Sequence, residues 1–246
     1  MSKWLEGRVV EHKAWTDTLF SLRVESQHLD FAAGQFVRLA LDLGGERIAR
    51  PFSFVNPPQD PMLEFYGVIV PEGPLSPPLA RLRKGDRLFV ADNPSGFLVL
   101  GEVPAAEDLW LVATGTGIAP FLSILRTETP WQRYRRVILV HAVRRASELV
   151  YADMIDAVAR ERGGQFVRIN FTSREKTANA LEGRIPAAIR DGRLEAKAQP
   201  ISPERSQFML CGNPQMLKDV AAELNARGLR KNRRRTPGHI TVESFW

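Results

Sequence analysis

Residues 109–120 read Leu-Trp-Leu-Val-Ala-Thr-Gly-Thr-Gly-Ile-Ala-Pro. The apolar run from Leu109 to Ala113 shows no polar alternation, which is what a strand buried on both faces requires, and such strands belong to parallel sheets. Thr114-Gly115-Thr116-Gly117 then makes a tight turn. Ile118–Arg126 reads as an apolar helix with Pro120 in its first turn, where a missing N–H removes no helical bond. Strand, glycine turn and helix form the corner by which a parallel sheet admits a dinucleotide. The segment departs from G-x-G-x-x-G because Pro120 stands where the third glycine belongs, so a plain structural corner stays open on these residues alone.

Outward toward the C-terminus the same alternation continues. Strands are predicted at Val137–Ala142, Phe166–Thr172, Gln207–Cys211 and Ile240–Glu243. Helices are predicted at Ser147–Arg162, near Pro186–Arg190 and at Pro214–Arg227. This order predicts a parallel, Rossmann-like sheet with helices on both faces. Outward toward the N-terminus the period changes to two, as in Leu22-Arg23-Val24-Glu25 and Leu63-Glu64-Phe65. Short runs at Gln35–Leu41, Ile48–Val55, Leu63–Val70 and Arg87–Ala91, separated by Gly, Pro and Asn turns, predict a small antiparallel β-barrel. One helix, about Ser76–Leu82, interrupts it. The change of period falls at Leu100–Asp108, which predicts two domains, 1–100 and 101–246.

Composition bounds the function. The 246 residues carry 34 Lys and Arg against 28 Asp and Glu, a net charge of +6, and the 44% hydrophobic content excludes wholesale disorder. Cys211 is the only cysteine, so an intramolecular disulfide and a four-thiolate iron–sulfur cluster are both excluded. His12, His28, His141 and His239 are scattered, with no metal-ligand spacing, and no metal is expected. The opening Met1–Glu6 meets charge before any apolar stretch, and the longest uncharged run, Leu109–Leu125, is too short and too glycine-interrupted to span a bilayer. A soluble, cytoplasmic protein of a reducing compartment, without membrane association, is the expectation.

Several segments carry candidate chemistry. Arg50-Pro51-Phe52-Ser53 puts a phosphate-pairing cation, a stacking ring and a hydroxyl in one strand, with Pro51 favouring an edge position; on these residues alone an edge strand with a surface Arg and a core Phe stays open. Gly73-Pro74-Leu75-Ser76 opens a helix whose first N–H groups suit a pyrophosphate, although Pro74 donates nothing and a plain turn with an N-cap explains the residues equally. Arg144, Ser173-Arg174 and Arg184 follow successive strand ends where an NAD site offers Asp or Glu; cations there suit the 2′-phosphate of NADP, with solvated surface arginines as the other reading. Cys211-Gly212-Asn213-Pro214 ends a strand and starts a helix. Cys211 has no cationic neighbour in sequence to make it a nucleophile, so contact with a nicotinamide or simple burial are its two readings. The chain ends Glu243-Ser244-Phe245-Trp246, and Arg227–Arg235 holds six cations: a solvated face, a nucleic-acid patch or a dock for an acidic protein.

In this order, Arg50–Ser53 (R-x-Y-S, with Phe for Tyr), Gly115–Pro120 (G-T-G-x-x-P) and Cys211-Gly212 resemble the ferredoxin (or flavodoxin)–NADP reductase family, over essentially the whole chain and notably its bacterial members that end in an aromatic pair. The resemblance implies a six-stranded FAD-binding barrel followed by an NADP-binding α/β domain. It implies hydride transfer between NADPH and FAD, and single-electron transfer between FAD and an acidic ferredoxin or flavodoxin. Arg50, Leu75 and Ser76 are implied to hold the FAD pyrophosphate, Phe52 to stack on the isoalloxazine, and Phe245 and Trp246 to cover FAD. Ser53, Cys211 and Glu243 are implied as the catalytic set, with Thr116 and Cys211 flanking the nicotinamide and Thr116 also near FAD. Arg144, Ser173, Arg174 and Arg184 are implied to take the adenosine phosphates. A monomer without nucleic-acid binding is expected. Phe52 in place of Tyr removes one hydroxyl, worth about 0.5–1.5 kcal/mol, so FAD is expected to be retained. A reductase serving an oxygenase or reducing free flavins, on the same scaffold, is the alternative.

Overall fold

Period-two patterning builds the first half of the chain. In β1 (Trp4–Ala14), Leu5 and Val9 are buried while Glu6 and Arg8 face solvent. β2 (Leu19–Ser26), β3 (Phe36–Leu43), β4 (Glu46–Ser53) and β5 (Leu63–Val68) follow, then a single-turn helix α1 (Ser76–Leu79) and β6 (Arg87–Ala91). They form one antiparallel sheet in the order β4–β3–β6–β1–β2–β5. The sheet curls until its edges meet, where a bridge joins Phe54 to Phe65 and the Val55 amide donates to the Glu64 carbonyl at 2.8 Å. The expected barrel is thus a curled six-stranded sheet drawn shut at one point. α1 is shorter than the predicted Ser76–Leu82, because the Gly85 amide is drawn to the Val9 carbonyl (2.8 Å) and turns the chain into β6. Leu75 and Leu79 still close the core around Phe54, Phe65 and Leu88.

This computed structural model describes residues 3–244. Its second half runs β7 (Asp108–Thr114), α2 (Ala119–Leu125), α3 (Thr129–Arg133), β8 (Arg136–Val143), α4 (Ala152–Arg162), β9 (Phe166–Thr172), β10 (Leu181–Glu182), α5 (Ile185–Arg190), β11 (Ser206–Cys211), α6 (Pro214–Asn225) and β12 (Ile240–Glu243). All six strands are parallel, in the order β10–β9–β8–β7–β11–β12. β8 and β7 are its two middle strands and β11 lies beside β7; β7 is buried from Asp108 to Ala113 and β11 from Ser206 to Cys211, with Trp110 stacked on Phe208 at 5.3 Å. The chain moves outward from β7 through β8 and β9, then returns to the other side at β11. The reversal opens a crevice at the C-terminal ends of β7 and β11.

The predicted helix Ser147–Arg162 is corrected. Ala146–Glu148 forms one 3-10 turn and α4 starts only at Ala152, because Tyr151 adopts φ +61° and breaks the helical path. That left-handed conformation costs a non-glycine residue about 1–3 kcal/mol, which surrounding contacts must offset. α3 and the two-residue β10 had no sequence signal.

The two sheets share a core in which Leu19, Val55 and Tyr66 pack with Leu111, Phe121 and Ile124. The buried Ser123 hydroxyl donates to the Asn56 carbonyl at 2.7 Å, and Arg133 donates to the carbonyls of Leu100 and Val103 in the connecting stretch. Among the described residues no helix is long and apolar enough to cross a membrane.

Candidate functional site

The crevice is a cleft of about 560 Å³. One wall is the turn after β7, Thr114, Gly115 and Thr116, with Asn213, Gln215 and Met216 after β11. The barrel supplies Leu19, Tyr66 and Val68, and the far end carries Arg144, Ser173 and Arg184. Four residues singled out from sequence, Thr116, Arg144, Ser173 and Arg184, therefore line one cavity. Its acidic members are already engaged: Glu148 Oε2 accepts the Arg144 and Arg145 amides (2.8 and 3.3 Å), and Asp219 accepts from Gln215 Nε2 (2.7 Å). Arg144 and Arg184 are left as exposed cations facing the cavity. Arg174 does not line the cleft, but its amide donates to the Arg144 carbonyl at 3.0 Å, so the two stand side by side.

Local chemistry explains the turn. Gly117 lies against the end of β11, where an added Cβ would stand 2.6 Å from the Cys211 carbonyl oxygen. Only glycine lets these two backbones approach so closely. Asn213 caps α6, its Oδ1 accepting the Gln215 and Met216 amides (2.9 and 3.3 Å), a cap worth about 1 kcal/mol. The Asn213 amide in turn donates to Thr114 Oγ1 at 2.9 Å, tying the two sides of the crevice together.

Cys211 and Glu243 end neighbouring strands in register, so the structure brings these two together. Cys211 is fully buried, and burial, reinforced by the Glu243 charge, holds its thiol well above the ordinary range. It is a neutral thiol and no nucleophile. Glu243 Oε1 accepts the Phe97 amide at 3.1 Å, and burial pushes the carboxyl up to about 7. Its Oε2 is buried without a protein partner, as are Ser53 Oγ and the Tyr66 hydroxyl. Ser53 reaches the same region through β3, because Phe36 pairs with both Ser53 and Ser95. A buried orphaned oxygen costs about 1–3 kcal/mol, a cost that a bound polar ring edge removes.

The remaining predicted residues sit apart from the cleft lining. Phe52 packs on β5 beside it: an added Cβ at Gly67, between Tyr66 and Val68, would stand 3.0 Å from the Phe52 ring. Arg50 is exposed on the edge strand β4 and donates to the Ala49 carbonyl at 2.8 Å. Leu75 is buried, and Ser76 Oγ accepts the Val70 amide at 2.9 Å, which fixes the turn into α1. Phe245 and Trp246 lie outside the described residues. The basic stretch divides: Arg230, Lys231, Arg233, Arg234 and Arg235 are exposed, with Arg234 paired to Glu102 at 2.9 Å. Arg227, by contrast, is tied to Glu195 and the Ile189 carbonyl and is no part of that face.

A family model described as oxidoreductase NAD-binding domain matches residues 111–222. Over 248 aligned residues, covering all of both chains, the sequence is 46% identical to a flavodoxin/ferredoxin–NADP reductase of Escherichia coli (strain K12). The chain belongs to the flavodoxin/ferredoxin–NADP reductase family. A Pseudomonas aeruginosa ferredoxin–NADP reductase is 37% identical, with 99% of this chain and 98% of that one aligned. A solved Neisseria gonorrhoeae ferredoxin NADP+ reductase, with bound FAD and NADP, superposes with a TM-score of 0.94 at 33% identity over the whole of both chains.

Two residues of this reductase-family chain escaped the sequence reasoning. Tyr66 read as a strand residue like its neighbours, yet it faces the cleft with an unpartnered hydroxyl. His141, on β8, read as one of four scattered histidines; its Nε2 meets the Gly115 carbonyl at 3.0 Å and thereby braces the glycine turn. Burial pushes it down to about 4, so the ring is neutral and its proton must lie on Nε2 to serve a carbonyl. A central-strand histidine bracing the first βα turn was the available signal.

Proposed function

We propose that this chain holds FAD and NADP(H) where its two sheets meet, and passes electrons between NADP(H) and a one-electron carrier, a ferredoxin or a flavodoxin. The observation that carries this is the cleft at the reversal of the parallel sheet, walled by the barrel on one side and by Arg144 and Arg184 on the other. When bound, FAD supplies the exchange between two-electron and one-electron steps that no side chain provides.

The chain's own residues bind, orient and exclude. Arg50, exposed on β4, pairs with a pyrophosphate, which Leu75 and Ser76 also help to hold. Phe52, packed close to Gly67, offers a stacking face. Ser53 Oγ is buried without a protein partner and so is free to bond a ring heteroatom. Thr116 orients the reacting end of the nicotinamide, and the neutral Cys211 thiol keeps water from it. Glu243, poised near neutrality, holds or releases a proton at Oε2. Arg144, Arg174 and Arg184, with Ser173, take the 2′-phosphate and its neighbour, and so select NADP over NAD. The exposed cations Arg230, Lys231, Arg233 and Arg235 attract an acidic carrier and speed its association at low salt.

Steady-state kinetics of the FAD-loaded protein with NADPH and NADH, against purified ferredoxin, flavodoxin and free FMN, test the reading. Turnover with NADPH and at least one protein carrier is expected. Protein that stays colourless in excess FAD, or turnover with free FMN alone, refutes it.

A further inference from the structure

The eight residues between β8 and α4, 144–151, form a wall between two cavities. Arg144 and Glu148 line the nucleotide cleft; Ser147, Leu149, Val150 and Tyr151 line a second cleft of about 540 Å³ on the opposite side, with Trp15, Glu64 and Arg126. The wall is one piece internally. Glu148 Oε2 accepts the Arg144 and Arg145 amides, the Glu148 and Leu149 amides donate to the carbonyls of Arg145 and Ala146 at 3.0 Å, and the Ala146 amide donates to Glu175. The Arg174 amide, bonded to the Arg144 carbonyl, rides with it. With a cavity on each face, such a piece has room to shift unless something fixes its far end.

Tyr151 does so. Its left-handed backbone is out of place for a bulky side chain, and what the conformation gains is the ring's position. The ring sits against Trp15 (4.8 Å) and edge-on to Tyr66 (5.5 Å), itself a cleft residue, and the hydroxyl donates to Glu64 Oε1 at 2.9 Å. Glu64 belongs to β5, two residues before Tyr66, and lies 3.7 Å from Arg126, which also approaches Asp60 at 3.5 Å. Barrel-side carboxylates thus grip one cation, at the end of α2, and one phenol, at the start of α4, of the other half.

We propose that the Tyr151–Glu64 hydrogen bond is the fastening that sets the Arg144 wall of the nucleotide cleft against the barrel, making both residues positioning residues for the phosphate-bearing end of the dinucleotide. This rests on the cleft being the nucleotide site. A wall released at Tyr151 leaves Arg144 and Arg174 chemically intact but misplaced, so nucleotide affinity falls while the reacting end, held by the β7 turn, is untouched.

The test uses the FAD-loaded full chain. Tyr151→Phe and Glu64→Leu should each raise KM for NADPH and Kd for 2′-phospho-AMP roughly tenfold or more, the loss of a hydrogen bond to a charged group, with kcat within about twofold. Glu64→Gln keeps an acceptor for the phenol and should stay within about threefold of the parent KM. Hydrogen exchange should quicken at the amides of 144–149 in Tyr151→Phe and remain unchanged in β7 and β8. Arg144→Ala separates the two readings. If it raises KM for NADPH while Tyr151→Phe does not, the fastening is overturned and the cleft assignment stands. If neither variant responds, the cleft assignment falls and this proposal with it. Exchange that quickens throughout the sheet marks Tyr151 as a general packing residue and also overturns the proposal.

Discussion

Glu243→Gln should stabilise the protein at pH 8 and leave it unchanged near pH 4. The parent carboxyl is pushed from 4.5 up to about 7 by burial, and the amide donated by Phe97 opposes that shift only in part. A carboxyl whose folded value lies above its unfolded value favours the protonated form in the fold. Its effect is therefore absent below the unfolded value, and stability is lost as pH climbs from 4.5 to 7, where the fold must accept a poorly solvated charge. At about 1.4 kcal/mol per unit, the gap corresponds to on the order of 3 kcal/mol by pH 8. Gln retains a carbonyl for the Phe97 amide and carries no charge at any pH, so the variant escapes this loss. The assay is urea unfolding of parent and variant at half-unit steps from pH 4 to pH 8, with FAD at one fixed excess so that ligand linkage is common to both. The difference in unfolding free energy should open between pH 4.5 and 7 and then level. Parallel curves would show that Glu243 is solvated, and would remove the ground for assigning it a proton near neutrality.

Arg174→Ala and Arg184→Ala should each weaken NADPH by about 1.5–3 kcal/mol, or tenfold and more in KM, with NADH changed by less than about threefold; equal losses for both nucleotides would refute the 2′-phosphate assignment. His141 should remain neutral in the Nε2–H form from pH 5 to 9, read by 15N chemical shifts, and His141→Leu should cost about 1–3 kcal/mol by orphaning the Gly115 carbonyl. Gly117→Ala places a methyl 2.6 Å from the Cys211 carbonyl oxygen, backbone against backbone; it should destabilise by about 1–3 kcal/mol and weaken NADPH, so a variant with parent stability and KM would show that the crevice is looser than its geometry.

What could be read from sequence follows from where periodicity is strong. The fully apolar run Leu109–Ala113 has one comfortable place, the centre of a parallel sheet, and it lies there as part of β7. The alternation at Leu22–Glu25 and Leu63–Phe65 fixes which side of a strand is wet, and both stretches lie within β2 and β5 of the antiparallel sheet. Site residues that end such strands, Thr116, Arg144, Ser173 and Arg184, inherit that certainty, because strand ends of a parallel sheet lie along one edge. The start of the predicted helix, 147–151, departs from its sequence reading for the opposite reason. Ser147–Arg162 has helical composition, and no local rule reports that Tyr151 gains more from reaching Trp15, Tyr66 and Glu64 on the barrel than from continuing a helix.

The same logic separates the two kinds of residue in the cleft. Residues that line the cleft at strand ends are placed by the strand that carries them, so spacing within about ten residues finds them. Residues that hold those in place are found across the sheet or across the two halves: His141 stands 26 positions from Gly115, and Tyr151 stands 87 from Glu64. Their partners are backbone carbonyls and a carboxylate that carry no motif of their own. A neutral histidine beneath a glycine turn and a phenol in the left-handed region both depart from local preference: burial keeps the His141 ring neutral while its bond to Gly115 ties β8 to the turn after β7, and Tyr151 is held by Glu64, Trp15 and Tyr66 of the barrel. Such departures, more than any motif, mark where the walls of the cleft are tied, within the parallel sheet at Gly115 and across the two halves at Glu64.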